Sequence, residues 1–454
     1  MYWWSLQRLK SKRAEIRLHA LQSLAKSPSG QIVDALTPLV GDPEPEVRRA
    51  VVPILGQTQS ESAISPLGTA LKDSDEEVRC LAAEALSVLG NDRAVTILLP
   101  ALKDGDARVR WRVVQAMENL GWVAETDAEK AMALVARGEM GKAAELGAVA
   151  IDALTHALKA GSFEKRVSAI EALTSIGDER VLRPLMAALK SDNGTVRVSA
   201  IEALMHIGDA KVLEGIVPLL KDKEHGVREA AVSAVGKLGQ SKSLECILPC
   251  LQDPSWDVRK ATAIALGKLK DPRAIEALTT ATQDKDGEVR EEAVIALGRI
   301  NDERAVATLI ISMTDENSSV RSAATAALNR IDQYWHHSPA AQEVIGKLKS
   351  ALKDKEYWVR QSAADVLALI GLRDRGETQF VSFINAAQHR KKTAVGIFAE
   401  LLHDLDRDLR QAAAESLGRI GDPSAVEALN SAKDDTDATV RQAVWQALSV
   451  LQSG

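Results

Sequence analysis

Arginine and aspartate recur along this chain at a fixed spacing, and that regularity decides what chemistry they can do. An arginine stands at 17, 48, 79, 110, 166, 197, 228, 259, 290, 321, 360, 410 and 441. Six residues before it, ten of the thirteen segments carry an aspartate: Asp42, Asp73, Asp104, Asp222, Asp253, Asp284, Asp315, Asp354, Asp404 and Asp435. Carboxylates in rows can serve as general acids and bases or as metal ligands. Catalysis seldom needs one pair repeated in nearly every segment. A carboxylate and a guanidinium that bracket each turn can instead satisfy orphan backbone groups and link neighbouring segments, so the ladder is assigned to stability.

Other reactive types do not converge. His19, His156, His206, His225, His336, His337, His389 and His403 fall in different registers of the repeat. Cys246 and Cys250 lie four apart, the spacing of half a metal site, with no further ligand cluster in the sequence; buried small apolar residues are the default reading for them. A phosphate-binding glycine loop, a Gly-x-Ser-x-Gly elbow and a zinc-protease signature are all missing from the sequence. No catalytic, cofactor-binding or metal-binding residue is therefore assigned, and the expectation is a protein that is not an enzyme and carries no cofactor.

The elements that position these residues follow from the interval between the arginines. Nine of the twelve intervals are 31 residues, and the others, 56, 39 and 50, leave insertions at 122–146, 333–340 and 372–390. Within Ala210 to Gln240, Val212, Leu213, Ile216, Leu219 and Leu220 fall at helical spacing, and so do Val227, Ala231, Val232, Ala234, Val235 and Leu238. Each repeat thus reads as a helix A, a tight turn, a helix B and a break such as Gly177-Asp178, Gly208-Asp209 or Gly421-Asp422-Pro423. Glycine there suits a left-handed C-terminal residue, and the aspartate can cap the helix that follows. Two helices of this size cannot bury their apolar faces alone, so neighbours must stack. Small residues at Ala200, Ala231, Ala261, Ala293, Ala323 and Ala412 are expected where successive B helices touch. Length alone suggests about three domains. The repeat replaces that estimate with one all-α superhelix over residues 1–454, about thirteen helical pairs with three insertions.

The segment from Ala274-Ile275-Glu276-Ala277-Leu278 through Asp284 and Val289-Arg290 to Ala293-Val294-Ile295-Ala296-Leu297-Gly298-Arg299-Ile300 resembles a HEAT repeat of the short form found in phycobilin lyases. The resemblance covers nearly the whole chain and implies a HEAT-repeat α-solenoid. It also brings a bilin lyase-like or chaperone-like role into view, because such lyases position a tetrapyrrole and a partner subunit; the repeat pattern identifies no pocket for the pigment. Deoxyhypusine hydroxylases, similar in fold, hold iron through His-Glu dyads. No His-Glu pair occurs in this sequence, so those ligands have no positions here.

What remains is surface. One and five residues past the ladder arginine, side chains should point away from the buried stripe, on the face that lines the concave side of such stacks. Those positions hold Glu84, Trp111, Gln115, Glu171, Glu202, Glu229, Lys260, Glu291, Gln361, Asp365, Gln411 and Glu415, with Trp445 beside them. Glu415 and Arg419 are spaced for an i,i+4 pair, and Lys237, Lys268, Arg299, Arg330 and Arg419 fall near helix C-termini, where they favour the dipole. Trp256, Tyr357 and Trp358 sit in turns just before an arginine. Exposed Trp and Tyr are preferred interface anchors. The insertions add Trp122, Tyr334, Trp335, Phe380, Phe383 and Arg390 as candidate contacts, with a helix expected from Asp127 onward.

Charge and composition narrow the partner. Lys+Arg total 57 against 63 Asp+Glu, a net charge of −6, and the B-helix row is richer in acids than bases. Nucleic acid is disfavoured as a partner, although the basic run Arg390-Lys391-Lys392 keeps it as an alternative. Three cysteines cannot build a disulfide framework, no apolar run approaches the ~20 residues of a spanning helix, and Met1-Tyr2-Trp3-Trp4 does not open a signal peptide. The expectation is a cytoplasmic scaffold or adaptor that binds another protein or peptide. Trp3 and Trp4 are expected to cover the open end of the first repeat.

Overall fold

The computed structural model describes residues 2–26, 28–239, 243–371 and 394–452, and no strand occurs among them. The chain divides into two compact units, Met1–Gly215 and Ile216–Gly454. In the first, the B helices are Ala14–Leu24, Pro45–Gln57, Glu76–Leu89, Ala107–Asn119, Phe163–Ile176 and Gly194–Ile207. In the second they are His225–Leu238, Trp256–Leu269, Gly287–Ile300, Ser318–Ile331, Tyr357–Gly371, Arg407–Ile420 and Ala438–Gln452. The fold is the expected all-α stack of helix pairs.

The repeat's apolar pattern produces these helices directly. In Pro45–Gln57 the buried residues are Val47, Val51, Val52, Ile54 and Leu55, with Gly56, one stripe that must face a neighbour. Each such Val, Leu or Ile contributes roughly 1.5–3 kcal/mol when taken out of water, which is why neighbouring pairs stack. A-side helices are shorter, and proline breaks several of them. Pro38, Pro100, Pro218 and Pro249 stand near the start of the 3-10 turns Thr37–Gly41, Leu99–Lys103, Val217–Lys221 and Leu248–Gln252. Proline lacks the N–H that an α-turn would use, so the chain tightens instead.

The breaks between repeats behave as the sequence implies. Gly177 and Gly421 close their helices at φ 69° and 64°, and Asp178 and Asp209 accept from the backbone N–H groups of Arg180 and Lys211 at 2.9 Å. The helix-to-helix contact differs in detail from expectation. Ala200, Ala231, Ala261, Ala293 and Ala412 are buried and Ala323 half-buried, but the tightest approaches lie one turn further on. There a glycine meets an alanine of the next B helix: Gly56 on Ala85, Gly236 on Ala265, Gly267 on Ala296, Gly298 on Ala327 and Gly418 on Ala447. A Cβ at Gly267 would stand 2.9 Å from the Ala296 Cα.

The insertion at 122–146 forms the helices Asp127–Arg137 and Met140–Ala144. Thr126 and Glu129 cap the first reciprocally, and Ala131, Ala133, Leu134, Val135 and Ala136 bury its inner side. Trp122 is half-buried against the first unit's core. The 333–340 insertion corrects one expectation: Trp335 is 4% exposed and serves packing, leaving its neighbour Tyr334 outside at 52%. Phe380, Phe383, Arg390 and the whole 372–390 insertion lie outside the described residues.

Candidate functional site

Two polar systems run along the stack, the arginine ladder and the outer side of the B helices. In much of the ladder the guanidinium works in two directions. Arg259 Nη1 donates to the Asp253 carbonyl six residues back at 2.9 Å. Its Nε and Nη2 donate to the two carboxylate oxygens of Asp284, 25 residues ahead, at 2.7 and 2.8 Å. Asp284 in turn accepts from the Asp286 backbone N–H at 2.9 Å. The same fork joins Arg48 to Asp73, Arg79 to Asp104, Arg228 to Asp253, Arg290 to Asp315 and Arg410 to Asp435. Arg17 reaches Asp42 through Nη2 alone. One pair therefore closes its own turn and ties it to the next repeat.

The electrostatics agree with a locked structural pair. Hydrogen bonding to the aspartate pushes Arg48, Arg228 and Arg259 above the ordinary arginine value, against burial. Burial pushes Asp253 and Asp284 up, but the arginine and a backbone N–H outweigh it and leave both carboxyls below their usual range. Groups this firmly ionised and saturated with partners are poor proton-transfer agents at neutral pH.

The ladder changes where insertions shift the register. Arg321 keeps its turn bonds to the Asp315 and Glu316 carbonyls at 2.7 and 2.9 Å, but Gly346 occupies the position 25 residues ahead. Arg360 reaches Asp408, 48 residues away, at 3.2 Å. Arg110 also keeps its turn bonds, to the Asp104 and Gly105 carbonyls at 2.6 and 3.2 Å. Its forward position holds Val135, and its buried Nε has no hydrogen-bond partner.

The outer side of the B helices bears most of the candidate contact residues. Glu84, Glu171 and Glu202 are exposed, whereas Gln115, Glu229, Glu291, Gln361, Asp365, Gln411 and Glu415 are half-buried. Trp111 is 38% and Trp445 59% exposed. Cations lie over these rings: Arg112 at 4.9 Å from Trp111 and Lys433 at 5.0 Å from Trp445. Trp256, Tyr357 and Trp358 are exposed as well. Lys260 bridges Glu288 of the next B helix at 2.5 Å. Arg419 bonds Asp365 of the preceding B helix at 2.5 Å rather than Glu415, which accepts from Gln411 at 2.9 Å. The i,i+4 pair read from sequence gives way to bonds between neighbouring helices, a choice that depends on their lateral register and that spacing within one helix does not reveal.

A cleft of about 450 Å³ lies between Gly287–Ile300 and Ser318–Ile331, lined by Glu291, Ile295, Ser322, Ala326 and Arg330. A larger groove of about 1420 Å³ runs along the turns of the first unit, but its arginines, Arg48, Arg79 and Arg93, are already held by Asp73, Asp104 and Glu61. Cys246 is exposed and Cys250 buried, and among the described residues no group of three or more His, Cys, Asp or Glu is placed to hold a metal ion. Among the described residues no helix is long and apolar enough to cross a membrane.

No curated protein matches the sequence. Among solved structures, one chain of a complex in which Kap95p binds RanGDP matches all of this chain and 72% of its own, at 14% identity and TM-score 0.36. YibA of Escherichia coli matches 65% of this chain and 98% of its own, at 19% identity and TM-score 0.32. A chain of the CpcE–CpcF complex of phycocyanin lyase from Nostoc matches 60% and 94%, at 19% identity and TM-score 0.31. The profile of HEAT repeats matches nine stretches, eight of them overlapping from 4–73 through 275–368 and a ninth over 383–449. With its paired helices, its Asp-Arg turns and a match over most of its length, the chain belongs to the HEAT-repeat family.

Proposed function

We propose that this chain is a non-catalytic, cytoplasmic scaffold or adaptor that binds another protein or peptide across the outer side of its B helices, with the inserted segments adding contacts. The observation that carries the reading is the exposure of Trp111 and Trp445 on B helices whose other outward residues are mainly acids and amides. Large aromatic side chains left in water on a rigid helical surface are the type that dominates protein interfaces. The cleft beside Glu291 and Arg330 offers a recess of matching scale between two such helices. The acidic bias of the row favours a partner with basic side chains and disfavours a phosphate backbone.

The test is affinity capture from the native host with the full chain and with the variants Trp111→Ala and Trp445→Ala, followed by binding of the purified partner. The reading expects one protein retained by the native chain, with each variant weakening binding by about tenfold or more. Equal capture by all three chains, or no protein partner together with an absorbance change on mixing with a bilin, contradicts it.

A further inference from the structure

At Arg110 an interruption of the ladder leaves a charged group buried beside a cavity. Arg110 is 5% exposed. Its Nη1 is occupied by the Asp104 and Gly105 carbonyls, as in its sister repeats. The Nε–Nη2 edge, which in six sister repeats grips a carboxylate, meets none here, and Nε lies buried with no partner. The cause is the 122–146 insertion, which puts Val135 where the register would place an aspartate. Hydrogen bonds to aspartate raise Arg79 and Arg228 above the ordinary arginine value, whereas burial lowers Arg110. A guanidinium in that condition is costly unless something anionic completes it.

A recess of about 280 Å³ adjoins this arginine. Leu102, Met132, Val135 and Val149 supply apolar wall. Lys103, Lys159 and His156 are exposed side chains along its lining, against the single acid Asp152. A few converging polar groups in an apolar recess are the make-up of a small-ligand site, and here the cations outnumber the anion.

We propose that this recess binds a carboxylate on a short apolar stem, seated on the Nε–Nη2 edge of Arg110 in the place of the missing ladder aspartate. Six sister repeats show what that edge accepts: two carboxylate oxygens at 2.7–3.1 Å. Lys103 and Lys159 supply positive potential along the way in, and the apolar wall receives the stem. The carboxylate belongs either to a free small acid or to a glutamate or aspartate side chain of a peptide. The site stands apart from the B-helix reading, since none of the proposed contact residues lines it.

Calorimetric titration of the full chain distinguishes the sources. The probes are glutarate, a capped Gly-Gly-Glu-Gly-Gly peptide whose only carboxylate is the side chain, the capped Gln counterpart, and inorganic phosphate. Glutarate, the Glu peptide or both should bind with millimolar or better affinity, while the Gln peptide does not. Glutarate alone assigns a free acid; the Glu peptide bound tighter assigns a side chain. Arg110→Gln should weaken binding by about tenfold or more. Lys103→Gln combined with Lys159→Gln, both at exposed positions, should weaken it several-fold and flatten its salt dependence without loss of helical circular dichroism. The proposal is overturned if no carboxylate binds at about 10 mM, if the lysine variant and Arg110→Gln bind as the native chain does, or if phosphate binds and the carboxylates do not.

Discussion

At the residue scale, the ladder pair is a charge-assisted fork with both partners out of water. Side-chain exposure is 6% for Arg259 and 12% for Asp284. Removing the carboxylate leaves the guanidinium buried and uncompensated, so Asp284→Asn is expected to cost about 3 kcal/mol in urea unfolding. The effect has a sign in pH. Because the folded carboxyl lies below its ordinary value, its contribution is present above the unfolded aspartate value of about 4 and is lost as pH falls through the folded value. Native protein should therefore lose stability on acidification below about pH 4, and Asp284→Asn should show a shallower loss over the same window. An equally steep loss in the variant would place the acid sensitivity elsewhere. The Asp-Arg spacing was visible in the sequence, and so was its structural role. Counting back from each arginine to its own turn, however, hid the forward partner. Counting 25 residues ahead would have revealed Val135 opposite Arg110.

At the element scale, the period of the apolar stripe fixed helix type and the position of each turn, because one buried face per helix leaves few alternatives. Contacts between helices were less legible. Alanines were expected at the seam, yet the closest approaches set a glycine on an alanine of the next helix, as Gly267 on Ala296, which follows from the crossing geometry and not from the content of either helix. Trp335 looked like a contact residue because it stands in an insertion, and only the packing shows it at 4% exposure. Two substitutions separate these influences. Gly267→Ala improves helix propensity but forces a methyl to within 2.9 Å of a neighbouring backbone atom, so it is expected to destabilise by about 1–3 kcal/mol. Gly346→Ala, in the helix Ile345–Ala351 with nothing within 4 Å of its added Cβ, is expected to stabilise by about 0.5–1 kcal/mol. Chemical denaturation of both variants checks the contrast. Stabilisation by Gly267→Ala would show that the seam is looser than this geometry.

At the scale of the whole molecule, repetition explains both what the chain offers and what it withholds. Each repeat leans on its neighbours, and the most regular ionic pairs are consumed in holding neighbouring helices together. In the proposed function, binding rests on what differs between repeats: the exposed tryptophans, the acidic row and the insertions. Family membership was legible in the sequence because the repeat carries the fold. The partner was not, because one fold serves many functions. The most direct test is hydroxyl-radical footprinting of the purified complex with its captured protein. Protection of Trp111 and Trp445, with the turns of the ladder left unchanged, is the expected result. Protection confined to the ladder turns, with both tryptophans reacting as in the free chain, would contradict the B-helix face as the binding surface.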